Sequence, residues 1–433
     1  MDSKRLAKIS IGCTAAVLIT TIILGWWAID RARGVAKWSE KADGFPTVAE
    51  LRGPAIPDDE NAALVYEQAW EALELTEEQE DALWRSEDPE VLAPILEQNR
   101  ESLRLLHEAT GMEKCRFEPA EDESGFAERP YSKPMRRLGM LLRAETLVAS
   151  SRSGTARGLD AVEARVRLAD HLSLSPYGML DLFLVASELS YASLSLQHVL
   201  ADATPDADGS RSLRRALEDM ELHEAFMEAY RVDVAEATSW LDDLLTGDVQ
   251  APDPKTRRTY KRAAASRPYR WLVVLNRAKY MELSRRRLDR AAKPWREVAY
   301  TDPILGPDNA LYPWIQLLPP HFGMLPSQRD QALAVREMML VALDIEDFIA
   351  EHGHPPESLD ELIEAQGIDD ADYAFDVFSV ERLRYQPGED GGYTLWSVGR
   401  DLDDDGGVTG CEAREAGRDA DDNDIVFRVE PVS

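Results

Sequence analysis

Polar and apolar positions divide the chain into segments with different periods. From Ile9 to Ile29 there is no charged residue: ISIGCTAAVLITTIILGWWAI. A helix needs roughly 20 such residues to cross the hydrocarbon of a bilayer. Lys4, Arg5 and Lys8 precede the run, and Trp26 and Trp27 close it where an interfacial aromatic belt belongs. The pattern predicts a cytoplasmic tail over 1–8 and an uncleaved, single-pass transmembrane helix over 9–29. A cleaved signal peptide has a shorter apolar core and a small-residue cleavage site. Arg31, Arg33, Lys37 and Lys41 follow the span. Even so, a short basic tail before a first span favours N-in, which leaves the bulk of the chain outside the cytoplasmic membrane.

Beyond residue 30 the period becomes helical, and a helical domain is expected over 30–300. Asp58 or Asp59 is placed to cap a helix through NAALVYEQAWEALEL, with Ala63, Tyr66, Ala69 and Trp70 on one face. Further helices are expected over Pro89–Thr110, Met135–Ser151, Ala156–Leu174, Tyr177–Ala203, Ser212–Leu245 and Arg257–Ala292. The short breaks at Ser153-Gly154 and Ser175-Pro176 predict antiparallel neighbours. Met179–Leu200 is apolar enough to suggest a second span. Asp181, Glu188 and His198 interrupt it, so a buried bundle helix is the simpler reading. No strand alternation stands out between 58 and 300. Residues 301–326 are Pro-rich and aromatic and read as a tethered connector.

The remainder, 327–433, predicts an α+β module. Ser327 is placed as an N-cap, with Asp330 as a weak capping-box partner, and an apolar stripe runs from Leu333 to Phe348. Gly353 and Pro355-Pro356 end that helix, and ESLDELIEA suggests a short second one. Strands are expected at Tyr373–Phe378, Leu383–Tyr385, Tyr393–Val398 and Ile425–Val429. The fold class is therefore mainly α, with a C-terminal module made of one long helix and a small antiparallel sheet.

One chemical motif stands out in this module. Asp401 to Gly406 reads D-x-D-x-D-G, and Glu412 completes a twelve-position calcium-loop pattern. Asp401, Asp403 and Asp405 would converge on a cation, Gly407 would offer its carbonyl, Thr409 a side chain or a bridging water, and Glu412 would close the site. A strand rather than a helix precedes this loop, and no amphipathic pattern follows it. The competing reading is a solvated acidic turn. A second acidic cluster, Asp419 to Asp424, lies close by in sequence.

Composition narrows the function classes. The 433 residues carry 49 basic and 80 acidic side chains, a net charge of −31, which disfavours wrapping nucleic acid. Lys255 to Arg296 reverses the local sign and would suit an anionic surface such as lipid headgroups. The plainer reading is a basic helix packed beside acidic neighbours. There is no HExxH, nucleophile elbow, P-loop or dinucleotide fingerprint. Cys115 and Cys411 would either pair outside the cytoplasm or stay as free thiols.

EHGHPPESLDEL, FDVFSVERLRYQP, GGYTLWSVGRDLDDDGG and DADDNDI together resemble the C-terminal half of the type II secretion major pseudopilin. Tyr385, Ser397, Gly399, Asp401, Gly406, Gly407 and Asp424 carry the resemblance. It implies a structural calcium ion at the acidic loop. The apolar segment lacks that family's processing site and its internal glutamate, so a filament-subunit role does not carry over. Across its length the chain also resembles a group of membrane-anchored proteins common in planctomycete-type bacteria. IPDDENAALVYEQAW, MEKCRFE and HGHPPESLDEL carry this second resemblance, which implies an EKCRF-like strand, architecture and location only. Three functions follow as expectations. First is a non-enzymatic, membrane-anchored scaffold or adaptor contacting envelope proteins. The alternatives are an accessory component of a type II secretion-like system and a hydrolase whose site sequence does not reveal.

Overall fold

The computed structural model describes residues 46–118, 120–121, 127–128, 130–174, 178–202, 207–249, 254–301, 312, 314–315, 325–368, 373–388, 390–415 and 424–430. The expected membrane span over 9–29 and most of the connector lie outside the described residues. The fold is mainly helical, with a small antiparallel sheet near the C-terminus.

Five helices open the described chain: α1 (Val48–Arg52), α2 (Ala62–Glu71), α3 (Glu77–Arg85), α4 (Pro89–Gln98) and α5 (Arg100–Thr110). The cap of α2 is Asn61 rather than Asp58 or Asp59, which form a 3-10 turn just before it. Asn61 is fixed from two sides. Its Oδ1 accepts from the Ala63 N–H at 3.2 Å and the Arg116 N–H at 2.8 Å, and its Nδ2 donates to the Arg116 carbonyl at 3.0 Å. The expected EKCRF strand is a single parallel bridge here, Asn61 to Lys114. The helix expected over Pro89–Thr110 breaks at Asn99. Its buried side chain donates to the Ile95 carbonyl at 2.9 Å and accepts from the Glu74 N–H at 2.7 Å, a bond across the chain that fixes the break.

A two-residue ladder, β1 (Ala120–Glu121) with β2 (Ala127–Glu128), interrupts a stretch expected to hold no strand. Then come α6 (Ser132–Ser153), α7 (Thr155–Leu174), α8 (Met179–Asp202), α9 (Ala207–Glu218), α10 (Leu222–Thr246), α11 (Pro254–Ala264), α12 (Arg267–Ala291) and α13 (Trp295–Val298). Two of the expected long helices are therefore pairs. Arg336 donates to the Met220 carbonyl at 3.0 Å in the break between α9 and α10. Pro268 lies in the first turn of α12, where its missing N–H costs no helical bond. The helices α6, α7 and α8 pack against one another as the short turns predicted. Among the described helices, α8 alone is long and apolar enough to cross a membrane. Most of it is buried in the bundle.

The module follows: α14 (Leu325–His352), α15 (Leu359–Gln366), β3 (Phe375–Asp376), β4 (Glu381–Arg382), β5 (Arg384–Pro387), β6 (Tyr393–Ser397), α16 (Gly410–Glu415) and β7 (Ile425–Val429). β3 pairs only with β4, and a second antiparallel sheet runs β5-β6-β7. Ser327 lies inside α14 rather than capping it, and Asp330 accepts the Trp295 N–H at 2.6 Å instead of closing a capping box. Arg329 beside it donates to the Ala291 and Lys293 carbonyls, at 2.5 and 2.8 Å, at the end of α12. Gly353 ends α14 as expected: it holds φ 80° and donates to the Ile349 carbonyl at 2.7 Å.

One hydrophobic core runs through both regions. Val185, Leu189 and Leu196 on α8 join Met338, Ala342 and Ile345 on α14, and these join Leu395, Phe427 and Val429 of the sheet. Under the sheet, the Tyr393 hydroxyl donates to buried Glu346 at 3.1 Å, and burial pushes that carboxyl up to about 7. Cys115 is buried in the helical core and Cys411 is exposed on α16, both as free thiols.

In the centre of the bundle, Arg165 of α7 donates to Glu188 of α8 at 2.9 Å, and both side chains are 1% exposed. The guanidinium also lies 4.9 Å from the Tyr191 ring centroid. Gly139 on α6 faces the Glu188 carboxylate so closely that a Cβ would collide with it. Burial raises the Glu188 pKa, and the Arg165 charge and hydrogen bond oppose that rise. Arg165→Met strands a buried carboxylate and should cost about 3–5 kcal/mol. Adding Glu188→Met should recover most of that loss in a denaturant titration. A double variant no more stable than Arg165→Met would refute this account of the pair.

Candidate functional site

A cleft of about 520 Å³ opens between α13 and the small strands, with Arg296, Tyr300, Phe378, Arg384, Leu402 and Asp403 among its lining residues. The organiser of its wall is Asp376, a fully buried carboxylate on β3. Its Oδ1 accepts from the Ser397 hydroxyl at 2.6 Å and the Phe378 N–H at 3.0 Å. Its Oδ2 accepts from the Ser379 hydroxyl at 2.8 Å, the Ser379 N–H at 3.3 Å and the Val398 N–H at 3.4 Å. One side chain thus holds the β3–β4 turn against the end of β6. Nothing in the sequence analysis singled out Asp376. The signal was D-x-F-S, an aspartate placed to accept from N–H groups two and three residues on.

The turn ends at Val380 with φ 61°, and Leu402 across the cleft has φ 67°. Positive φ is costly for side chains of this size, above all for a β-branched one. Val380 and Phe375 are also exposed, although both are large and apolar. On the facing wall, the Tyr300 hydroxyl donates to the Asp401 carbonyl at 3.2 Å, and Arg296 bonds the Ser379 carbonyl. Trp295 anchors this wall by donating to the Arg400 carbonyl at 2.7 Å. At the floor, Arg384 donates to Glu381 at 2.9 Å and Asp404 at 3.2 Å.

The acidic loop forms the rim. Asp401 Oδ1 accepts from the Asp403 N–H at 3.2 Å, and Asp403 Oδ1 accepts from the Asp404 N–H at 3.1 Å. Asp404, outside the expected ligand set, accepts from the Trp396 indole N–H at 2.9 Å and the Gly406 N–H at 3.0 Å. Asp424 accepts from the Asp405 N–H at 3.4 Å and the Gly407 N–H at 2.7 Å. Burial nonetheless lifts the Asp424 pKa to about 6. Of the second acidic cluster, residues 419–423 lie outside the described residues.

The far half of the calcium pattern is engaged differently. The Thr409 N–H donates to Glu412 at 2.7 Å, and the Glu412 N–H donates to the Thr409 hydroxyl at 3.3 Å. This is a reciprocal T-x-x-E cap on α16, a helix that the sequence pattern did not reveal. Arg428 of β7 then donates to Glu412 at 2.8 Å and to the Gly407 carbonyl at 3.0 Å. Those bonds pull the Glu412 pKa down to about 2. A guanidinium therefore stands between two of the six expected donors, Gly407 and Glu412. Among the described residues, no three histidine, cysteine or carboxylate side chains are grouped to hold a metal ion, so the structure does not bring the six expected donors together. The sequence signal for Arg428 was a single charge inside the apolar strand IVFRV.

In comparisons with known proteins, no family model, curated protein or solved structure matches the chain.

Proposed function

We propose that the protein is a membrane-anchored, extracytoplasmic scaffold or adaptor whose C-terminal head contacts envelope proteins through the cleft beside Asp376. The observation that carries this reading is that, of three non-glycine residues at positive φ among the described residues, Leu402 lines the cleft and exposed Val380 sits between its lining residues Ser379 and Glu381, the third being buried Ala374. A strained and exposed apolar residue such as Val380 is not what folding selects, and such strain concentrates at binding sites. The apolar run over 9–29 supports the anchor. The proposal includes no catalytic step.

A photo-crosslinking residue at Val380 in the full chain, irradiated in native membranes, should join one reproducible envelope protein. The adduct should fade when Arg296→Glu alters the facing wall. Equal labelling from an exposed control position such as Glu218 would count against the cleft.

Calcium at Asp401, Asp403 and Asp405 is a second part of the proposal, supported by the D-x-D-x-D-G pattern and the pseudopilin resemblance. A cation reaches Gly407 and Glu412 only in competition with Arg428. Millimolar calcium should therefore raise the melting temperature of Arg428→Gln more than that of the natural chain. No calcium-dependent rise in either protein would remove calcium from the account.

A further inference from the structure

The basic stretch forms two helices that meet at a corner, and the corner carries more positive charge than folding needs. Arg258 and Arg262 lie one turn apart on α11, and Arg267, Arg270 and Trp271 lie on the opening turns of α12. All five side chains are exposed. Other cations of the stretch are absorbed locally: Arg277 pairs with Asp242 at 2.7 Å, and Lys279 with Glu282 at 2.8 Å. Among the described residues, no carboxylate pairs with Arg258, Arg262, Arg267 or Arg270. Neither helix has an acid in its first turn. Arg262 lies in the last turn of α11, where the dipole favours a cation, whereas Arg267 and Arg270 at the start of α12 work against helix stability. Keeping them in a chain of net charge −31 points to an external anion.

The position of the corner indicates which anion. The described chain begins beside α10, where Arg52 of α1 faces Glu236 at 3.8 Å. At the far end of that helix its cap, Gly247, lies so close to the Lys261 backbone of α11 that a Cβ there would collide with it. Eleven residues of α10 separate the two contacts, roughly 16 Å along its axis. Residues 30–45 join the apolar segment to this point and span at most roughly 55 Å when extended. A membrane holding the apolar segment is therefore within reach of the corner. Trp271, beside the arginines, has the amphipathic ring that settles at a headgroup layer.

We propose that the α11–α12 corner is a docking surface for an anionic phospholipid bilayer, holding the body of the protein against the membrane that anchors it. The inference rests on the anchored reading. Each arginine near an anionic leaflet strengthens contact by roughly fivefold, and the effect fades beyond a Debye length.

The test uses the full chain with vesicles of phosphatidylcholine alone or with about 30% phosphatidylglycerol, an anionic fraction chosen to set a negative surface potential. Amide exchange over 254–271 is the readout. Exchange should slow severalfold on the anionic vesicles only, and about 0.5 M salt should abolish the protection. Arg258→Gln, Arg262→Gln, Arg267→Glu and Arg270→Glu combined should abolish it at low salt with the melting temperature kept, since acids suit the start of α12 and glutamine is a good helix former on α11. Equal exchange on both vesicle types would overturn the proposal. So would protection by soluble polyphosphate without protection by anionic vesicles. A chain that fails to float with phosphatidylcholine vesicles, yet is protected on anionic ones, would overturn the anchor and leave the docking surface standing.

Discussion

The architecture depends on covering the broad apolar face of α14. Its buried residues include Val335, Met338, Met339, Val341, Ala342, Ile345 and Phe348, a stripe about half the helix wide, and on the opposite side Asp344 and Asp347 pair with Arg214 of α9. An apolar stripe this broad needs more than one neighbour to cover it. Here α8 and α10 cover one side, and β3, β6 and β7 cover the other. The head therefore shares its main helix with the body. Arg428 on β7 reinforces the junction, because its N–H donates to the Gln197 side chain of α8 at 3.0 Å.

That arrangement bears on function. A scaffold transmits position, so its binding face must be fixed relative to its anchor. The cleft is fixed by Asp376 on one wall and Trp295 on the other, and Asp330 and Arg329 tie the Trp295 wall back to α14 and α12. In the bundle centre, the Arg165–Glu188 pair and Gly139 set the mutual placement of α6, α7 and α8. Buried charge of this kind contributes little net stability but penalises a shifted register.

The helices and the C-terminal strands were legible because period and turn residues agree there. Ile425–Val429 is a strand as expected, and Gly353 stops α14 as expected. Helix breaks were less legible. Asn99 and Met220 end helices through bonds to Glu74 and Arg336, partners far away in sequence that no local pattern shows. Two expected caps were misplaced: Asp58 or Asp59 gave way to Asn61, which tertiary bonds to Arg116 hold, and Ser327 lies inside a helix that already starts at Leu325, with Pro326 in its first turn. The acidic loop shows a different difficulty. Thr409 and Glu412 satisfy both a calcium-loop spacing and a T-x-x-E cap, and only the position of Arg428 shows which protein groups hold them. Asp376, the hub of the cleft, was missed because its D-x-F-S signal is short and one aspartate stands out little in so acidic a chain.

The central claim is that head and body form one cooperative unit around α14. Native-state amide exchange on the full chain tests it most directly. Core amides of α8, α14, β6 and β7 should share one opening free energy and shift together when Ile345→Ala weakens the shared core. A head whose β6 and β7 amides open at a distinctly lower free energy, with α8 unmoved by that substitution, would contradict it.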